Sequence, residues 1–104
     1  MNELFKTTGS SLTIFVPSEL DHHNAEIIRN NADKIIENQL ITRLIFDFSK
    51  TSFMDSSGIG VIMGRYKNLR LMSGSVSAIN VSSRVHKMLT LSGLHKLIEI
   101  KECV

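Results

Sequence analysis

The sequence predicts an α/β fold, a mixed sheet of about five strands with helices packed on it. Three observations carry this. Strand-like apolar runs alternate with segments of helical period along most of the chain. The first two runs are separated only by Thr8-Gly9-Ser10, a hairpin turn that makes them antiparallel. The later strands are joined by helices, so they run parallel with right-handed crossovers.

The hairpin strands are read at 3–7 and 11–16. In the second, Leu12, Ile14 and Val16 alternate with Thr13 and Phe15, which gives it one buried face, and Pro17-Ser18 stops it. Glu19 to His23 reads as a loop. A helix from about Asn24 to Gln39 follows, with apolar residues at 25, 28, 32, 35 and 36 and with Asp21 and Glu26 suiting the dipole at its start. The strand 43–48 contains Leu44-Ile45-Phe46, an apolar run expected to be buried on both faces. A second helix spans about 56–70. Ser73-Gly74-Ser75 turns into a strand from Val76 to Val81, Ser82-Ser83 caps a third helix that Gly93 ends, and 97–100 is the last strand. No repeat, linker or low-complexity segment interrupts this order, so residues 1–104 form one domain.

Composition narrows the function. A chain of 104 residues with 42% hydrophobic and 21% charged residues can bury a core and fold unaided. Its net charge is only +2, with basic residues scattered among acids, so no nucleic-acid footprint is expected. The one basic cluster, Arg65 to Arg70, reads as the solvated side of the second helix. The lone cysteine, Cys103, excludes a disulfide framework. Neither a signal peptide nor a membrane span is visible, and a cytoplasmic protein is inferred.

The chain is organised around Asp47 to Gly64, where a strand ends, a polar loop follows and the second helix begins with Asp55 or Ser56 as N-cap. At about 100° per residue, Ile59, Ile62, Met63, Tyr66 and Leu69 share one apolar face that must pack on the sheet. Ser56 projects toward that buried side. Ser57 projects the other way, in line with Gly60, Val61, Gly64 and Asn68, an outward strip nearly bare of side chains. Each helical glycine costs about 1 kcal/mol relative to alanine. Such a cost on an exposed face suggests close approach by another protein, although Gly60 and Gly64 could instead admit a neighbouring helix of the same chain. Because functional loops sit at the carboxyl ends of parallel strands, Glu19 to His23 and Asp47 to Asp55 are expected to be neighbours.

Several chemistries are conceivable at this turn. A nucleophile elbow would need glycine two residues before the serine, where Asp55 stands before Ser57, and His86 and His95 fit better as exposed residues than as its base. Gly58-x-Gly60-x-x-x-Gly64 is a loosened dinucleotide fingerprint without the acid expected after the next strand. His22-His23 has no further ligands at metal-binding spacing. Asp21, Asp47 and Asp55 could be imagined around magnesium, but capping accounts for Asp21 and Asp55. No metal, no cofactor and no catalytic residue is therefore expected. There remains Ser57 as a phosphorylation site, at a helix N-terminus that favours an anion.

The run Phe53-Met54-Asp55-Ser56-Ser57-Gly58-Ile59-Gly60-Val61-Ile62-Met63-Gly64-Arg65-Tyr66-Lys67 strongly resembles the anti-sigma factor antagonists of sporulating bacilli. So do Glu19 to Ala25 and Leu91 to Lys96. The likeness runs in order over nearly the whole chain, and the wider family is the STAS domain. It implies a binding module without catalysis whose unphosphorylated form binds a nucleotide-bound serine-kinase anti-sigma factor and so releases the sporulation factor sigma-F. It implies that this kinase modifies the second serine of Asp-Ser-Ser-Gly, here Ser57, and that a serine phosphatase reverses the change. Asp21, His22, Asp55, Ser56, Gly58, Val61 and Gly64 are expected to meet the partner around it. A module of the general stress-response pathway is the alternative partner assignment, and a small serine hydrolase the alternative of another class. Two departures stand out: Ser18 replaces the glycine usual before Glu-Leu-Asp, and the chain stops at Val104, so the family's C-terminal helix is expected to be missing or truncated.

Overall fold

The computed structural model describes residues 2–103. Its main sheet has five strands in the order β1-β2-β4-β6-β7. These are β1 (Phe5–Thr8), β2 (Ser11–Phe15), β4 (Arg43–Asp47), β6 (Ser75–Val81) and β7 (Glu99–Glu102). Among the described strands of this sheet, β1 and β2 pair antiparallel and every other pair is parallel. A second, two-stranded parallel sheet joins β3 (Glu19–Leu20) to β5 (Phe53–Met54). The helices are α1 (His22–Gln39), α2 (Ser56–Arg70) and α3 (Ser83–Leu91). The mixed α/β architecture expected from the sequence is the one observed.

Alternation sets the sheet's two faces. Leu12 and Ile14 on β2, Leu44 and Phe46 on β4, and Val76 and Ala78 on β6 are all buried and lie in register with one another. They form the core with Ile28 and Ala32 of α1, Ile62 and Leu69 of α2, and Val85 and Leu89 of α3. The expectation that β4 is buried on both faces is corrected here. Ile45 is only half-buried, because its cross-strand neighbours Thr13 and Ser77 are polar and offer no second apolar layer.

Boundaries also move. The first strand, expected at 3–7, begins at Phe5, because Asn2–Leu4 form a 3-10 turn. The Asp21 carboxylate accepts the Asn24 N–H at 2.9 Å, so α1 starts at His22 and both histidines lie in its first turn rather than in a loop. Glu19 and Leu20, also read as loop, form β3. The last strand starts two residues late, because Leu97 and Ile98 both donate back to the Leu94 carbonyl at 2.9 Å around a 3-10 turn, Leu94–Lys96. No helix among the described residues is long and apolar enough to cross a membrane.

Candidate functional site

The site is built on the β3–β5 pair. Leu20 pairs with Met54, and the Asp55 N–H donates to the Leu20 carbonyl at 3.2 Å. Two residues earlier in the ladder, the Ser18 carbonyl accepts the N–H groups of Ser52 (2.9 Å) and Phe53 (3.2 Å). Ser18 is not among the residues with positive φ, so serine meets the turn's backbone demand without glycine. The Thr51 hydroxyl, buried below, donates to the Pro17 carbonyl at 2.9 Å. Two stretches more than thirty residues apart are thereby held as neighbours, as expected, and by backbone hydrogen bonds.

The residue after each short strand caps a helix. Asp21 caps α1, and Asp55 caps α2 by accepting the Ser57 N–H at 2.8 Å. The positive ends of both dipoles therefore open on the same edge of the molecule. Of the two candidate caps, Asp55 is the one used. Ser56 is exposed rather than turned inward, which corrects its expected direction. Ser57 is half-buried and lines the groove between α1 and α2.

The buried arc of α2 is wider than the wheel suggested. Gly58, Val61, Ile62, Arg65 and Leu69 are buried, while Ile59, Met63 and Tyr66 are half-buried against the core. The cause is a second packing partner, because α2 lies on α1 as well as on the sheet. Val61, placed on the outward strip by sequence, is only 5% exposed and floors the groove. Gly58 is a packing glycine: a Cβ there would stand 2.5 Å from Met54 Cγ and 2.9 Å from Leu20 Cδ2. By contrast, a Cβ on Gly60 or Gly64 meets nothing within 4 Å. No neighbouring helix of this chain needs those two glycines, so that reading of them falls.

Arg65 was misread. It belongs to the buried arc and is 7% exposed, not part of a solvated side. Its Nε lies 3.0 Å from Asp33 Oδ1 of α1 as an ion pair, yet neither Nε nor Nη1 has an aligned hydrogen-bond partner. Burial pushes the guanidinium below its usual value, Asp33 pulls it back, and Arg29 pushes it further down. Arginine nonetheless remains a cation at neutral pH. Its position three residues after Ile62 and four after Val61 was the available signal, masked by its charge.

The groove has a cavity of about 410 Å³. His22, Ala25, Glu26 and Arg29 wall it from α1; Ser57, Gly60, Val61 and Arg65 wall it from α2. His22 and Glu26 face each other at 3.8 Å, both well exposed. Asp47 stands apart from the other two loop acids in function: its carboxylate accepts the Ser49 N–H (2.9 Å) and Asn80 Nδ2–H (3.1 Å), which order the loop after β4. Among the described residues no group of three or more His, Cys, Asp or Glu is arranged to hold a metal ion. His86 pairs with Glu102 of β7 and His95 is exposed in the 3-10 turn, and neither lines the groove with Ser57.

A sequence model of the STAS domain matches residues 4–104. A protein of Paenibacillus polymyxa named anti-sigma F factor antagonist is 36% identical over 89 residues, covering 86% of this chain and 76% of that one. The anti-sigma-B factor antagonist of Listeria monocytogenes serovar 1/2a is 30% identical over 100 residues, covering 95% and 86%. Among solved structures, the anti-sigma factor antagonist SpoIIAA in its unphosphorylated form matches with a TM-score of 0.84 at 34% identity, over 92% of this chain and 84% of that one. The Bacillus cell fate determinant SpoIIAA in its phosphorylated form matches at 0.77 and 33%, over 92% and 87%. The family model over nearly the whole chain, the relatives' identity and the shared fold show it plainly: the chain belongs to the STAS domain family.

Proposed function

We propose that this protein is a phosphorylation-switched anti-anti-sigma factor. Its unphosphorylated form binds a serine-kinase anti-sigma factor carrying nucleotide, and so releases the sporulation factor sigma-F. The kinase transfers the terminal phosphoryl group of a nucleoside triphosphate to Ser57 Oγ; the hydroxyl proton and the nucleoside diphosphate leave. A serine phosphatase hydrolyses the ester and restores the binding form, and the cycle runs in the cytoplasm without catalysis by this chain.

The observation that carries the reading is the position of Ser57, on the second residue of α2, half-buried beside the open strip of Gly60 and Gly64. A phosphate at a helix N-terminus stabilises the fold by about 0.3–1 kcal/mol. A charge of about −2 forced into an apolar interface, or set against like charge, costs several kcal/mol. The switch therefore breaks binding and spares the fold. Within the contact set, His22 and Ser56 are exposed and Gly64 is half-buried with open space at its Cβ position, whereas Asp21 and Asp55 cap helices, Gly58 admits Leu20 and Met54, and Val61 floors the groove. The Listeria relative supports a second assignment, a kinase of the sigma-B type. Incubation with anti-sigma kinases of either type and ATP, followed by mass spectrometric mapping, tests both: phosphate on Ser57 from one kinase supports that assignment, and none on Ser57 from any refutes the switch.

A further inference from the structure

We propose that the groove between α1 and α2 is a built-in anion pocket that holds the phosphoryl group of phosphorylated Ser57 in cis, through Arg29 and over the fixed, buried cation of Arg65. The inference rests on the reading of Ser57 as the modified residue, and adds where its phosphate goes. Arg65 is more than nine-tenths buried, lines the same cavity as Ser57, and keeps two enclosed nitrogens, Nε and Nη1, without a hydrogen-bond partner. A cation held that deep is costly unless compensated. Asp33 compensates it from one side only, at 3.0 Å from Nε.

Arg65 stands two turns below Ser57 on α2, about 12 Å along the axis at ~1.5 Å per residue. Its Nε is held on Asp33 and its two partnerless nitrogens are enclosed, so Arg65 acts on the groove as a fixed cation beneath it and not as a direct ligand. Only Gly60 and Val61 line the α2 wall between them, so no long side chain bars the way. Arg29, exposed on α1, enters from the opposite wall. The cavity, about 410 Å³, is many times the ~30 Å³ that one water occupies in the liquid.

The charges facing this space are opposed but not balanced in place. From α1 come Arg29, Glu26, His22 and, beneath, Asp33; from α2 comes Arg65; at the helix starts stand the caps Asp21 and Asp55. Glu26 is drawn to His22 at 3.8 Å, at the exposed rim. Arg65 and Arg29 thus supply the cationic side, aided by two helix N-termini that open on the same edge. A phosphate dianion suits that combination, because guanidinium groups bind it in bidentate fashion.

The test uses the full chain with phosphoserine installed during synthesis at position 57, and, as comparison, at the exposed position 56 on the same helix start. The second ionisation of each phosphate is followed by phosphorus NMR. An ordinary phosphoserine titrates near pH 6. A cationic pocket favours the dianion, so phosphoserine 57 titrates about 1 pH unit below phosphoserine 56. Arg29→Gln removes much of that difference, as does Arg65→Met, and Glu26→Gln enlarges it. Arg29 is exposed, so its variant decides the matter even where Arg65→Met does not fold. Equal titration at 57 and 56, or a difference that Arg29→Gln leaves untouched, overturns the pocket. Because no kinase takes part, failure of the pocket and failure of Ser57 as a kinase substrate are separate results.

Discussion

Replacing Gly64 with lysine tests the open strip of α2 as a docking face. A Cβ on Gly64 meets nothing within 4 Å, so the free domain has room for the longer side chain. Lysine is the better helix former by roughly 0.5–1 kcal/mol. At about 4–8 °C per kcal/mol for a domain near this size, the melting temperature rises by roughly 2–8 °C. Binding moves the other way: a lysine on the strip two turns below Ser57 meets the docked kinase, and affinity and Ser57 phosphorylation both fall sharply. A urea midpoint measured at constant m-value, together with a binding titration on the same variant, reads both effects. A lower midpoint with full binding by the folded fraction refutes the reasoning, since overpacking against this chain's own neighbours would cost about 1–3 kcal/mol.

Gly58→Ala, six residues earlier, is expected to do the reverse and lose about 1–3 kcal/mol in the same denaturation assay, because its Cβ meets Met54 and Leu20. Ser57→Ala folds, resists phosphorylation and still binds the kinase, whereas Ser57→Asp folds and binds weakly; loss of phosphate incorporation in Ser56→Ala but not in Ser57→Ala would show the helix register to be wrong. Asp21→Ala loses about 1 kcal/mol with its cap as well as kinase affinity, while His22→Ala, exposed in the first turn, loses affinity alone by calorimetric titration. Equal stability loss in both would make His22 a structural residue.

Much of this architecture is visible in the sequence because local rules and the tertiary fold agree. The Asp55 cap and an unbroken helical period place α2 at 56–70, and the Gly9 turn fixes the antiparallel pair. The failures share a cause: they lie where a residue answers to two partners. A helical wheel assumes one packing surface, and α2 has two, so Val61 and Arg65 are buried where a single sheet would leave them outside. A two-residue strand such as β3 has no period to detect, and its existence depends on Phe53 and Met54 far along the chain. The half-exposure of Ile45 likewise depends on Thr13 and Ser77 beside it, which no window around β4 contains.

The β3–β5 clasp has a consequence for how the site recognises anything. Both helix starts are fastened to one short backbone ladder, with no long loop left between them to be ordered on association. The conformational entropy that binding usually costs has therefore been spent during folding. Such a surface engages as a rigid die, with little backbone movement between its free and bound forms. Adaptation falls to the partner, and differences between partners are expressed chiefly in how long each stays, not in how fast it arrives.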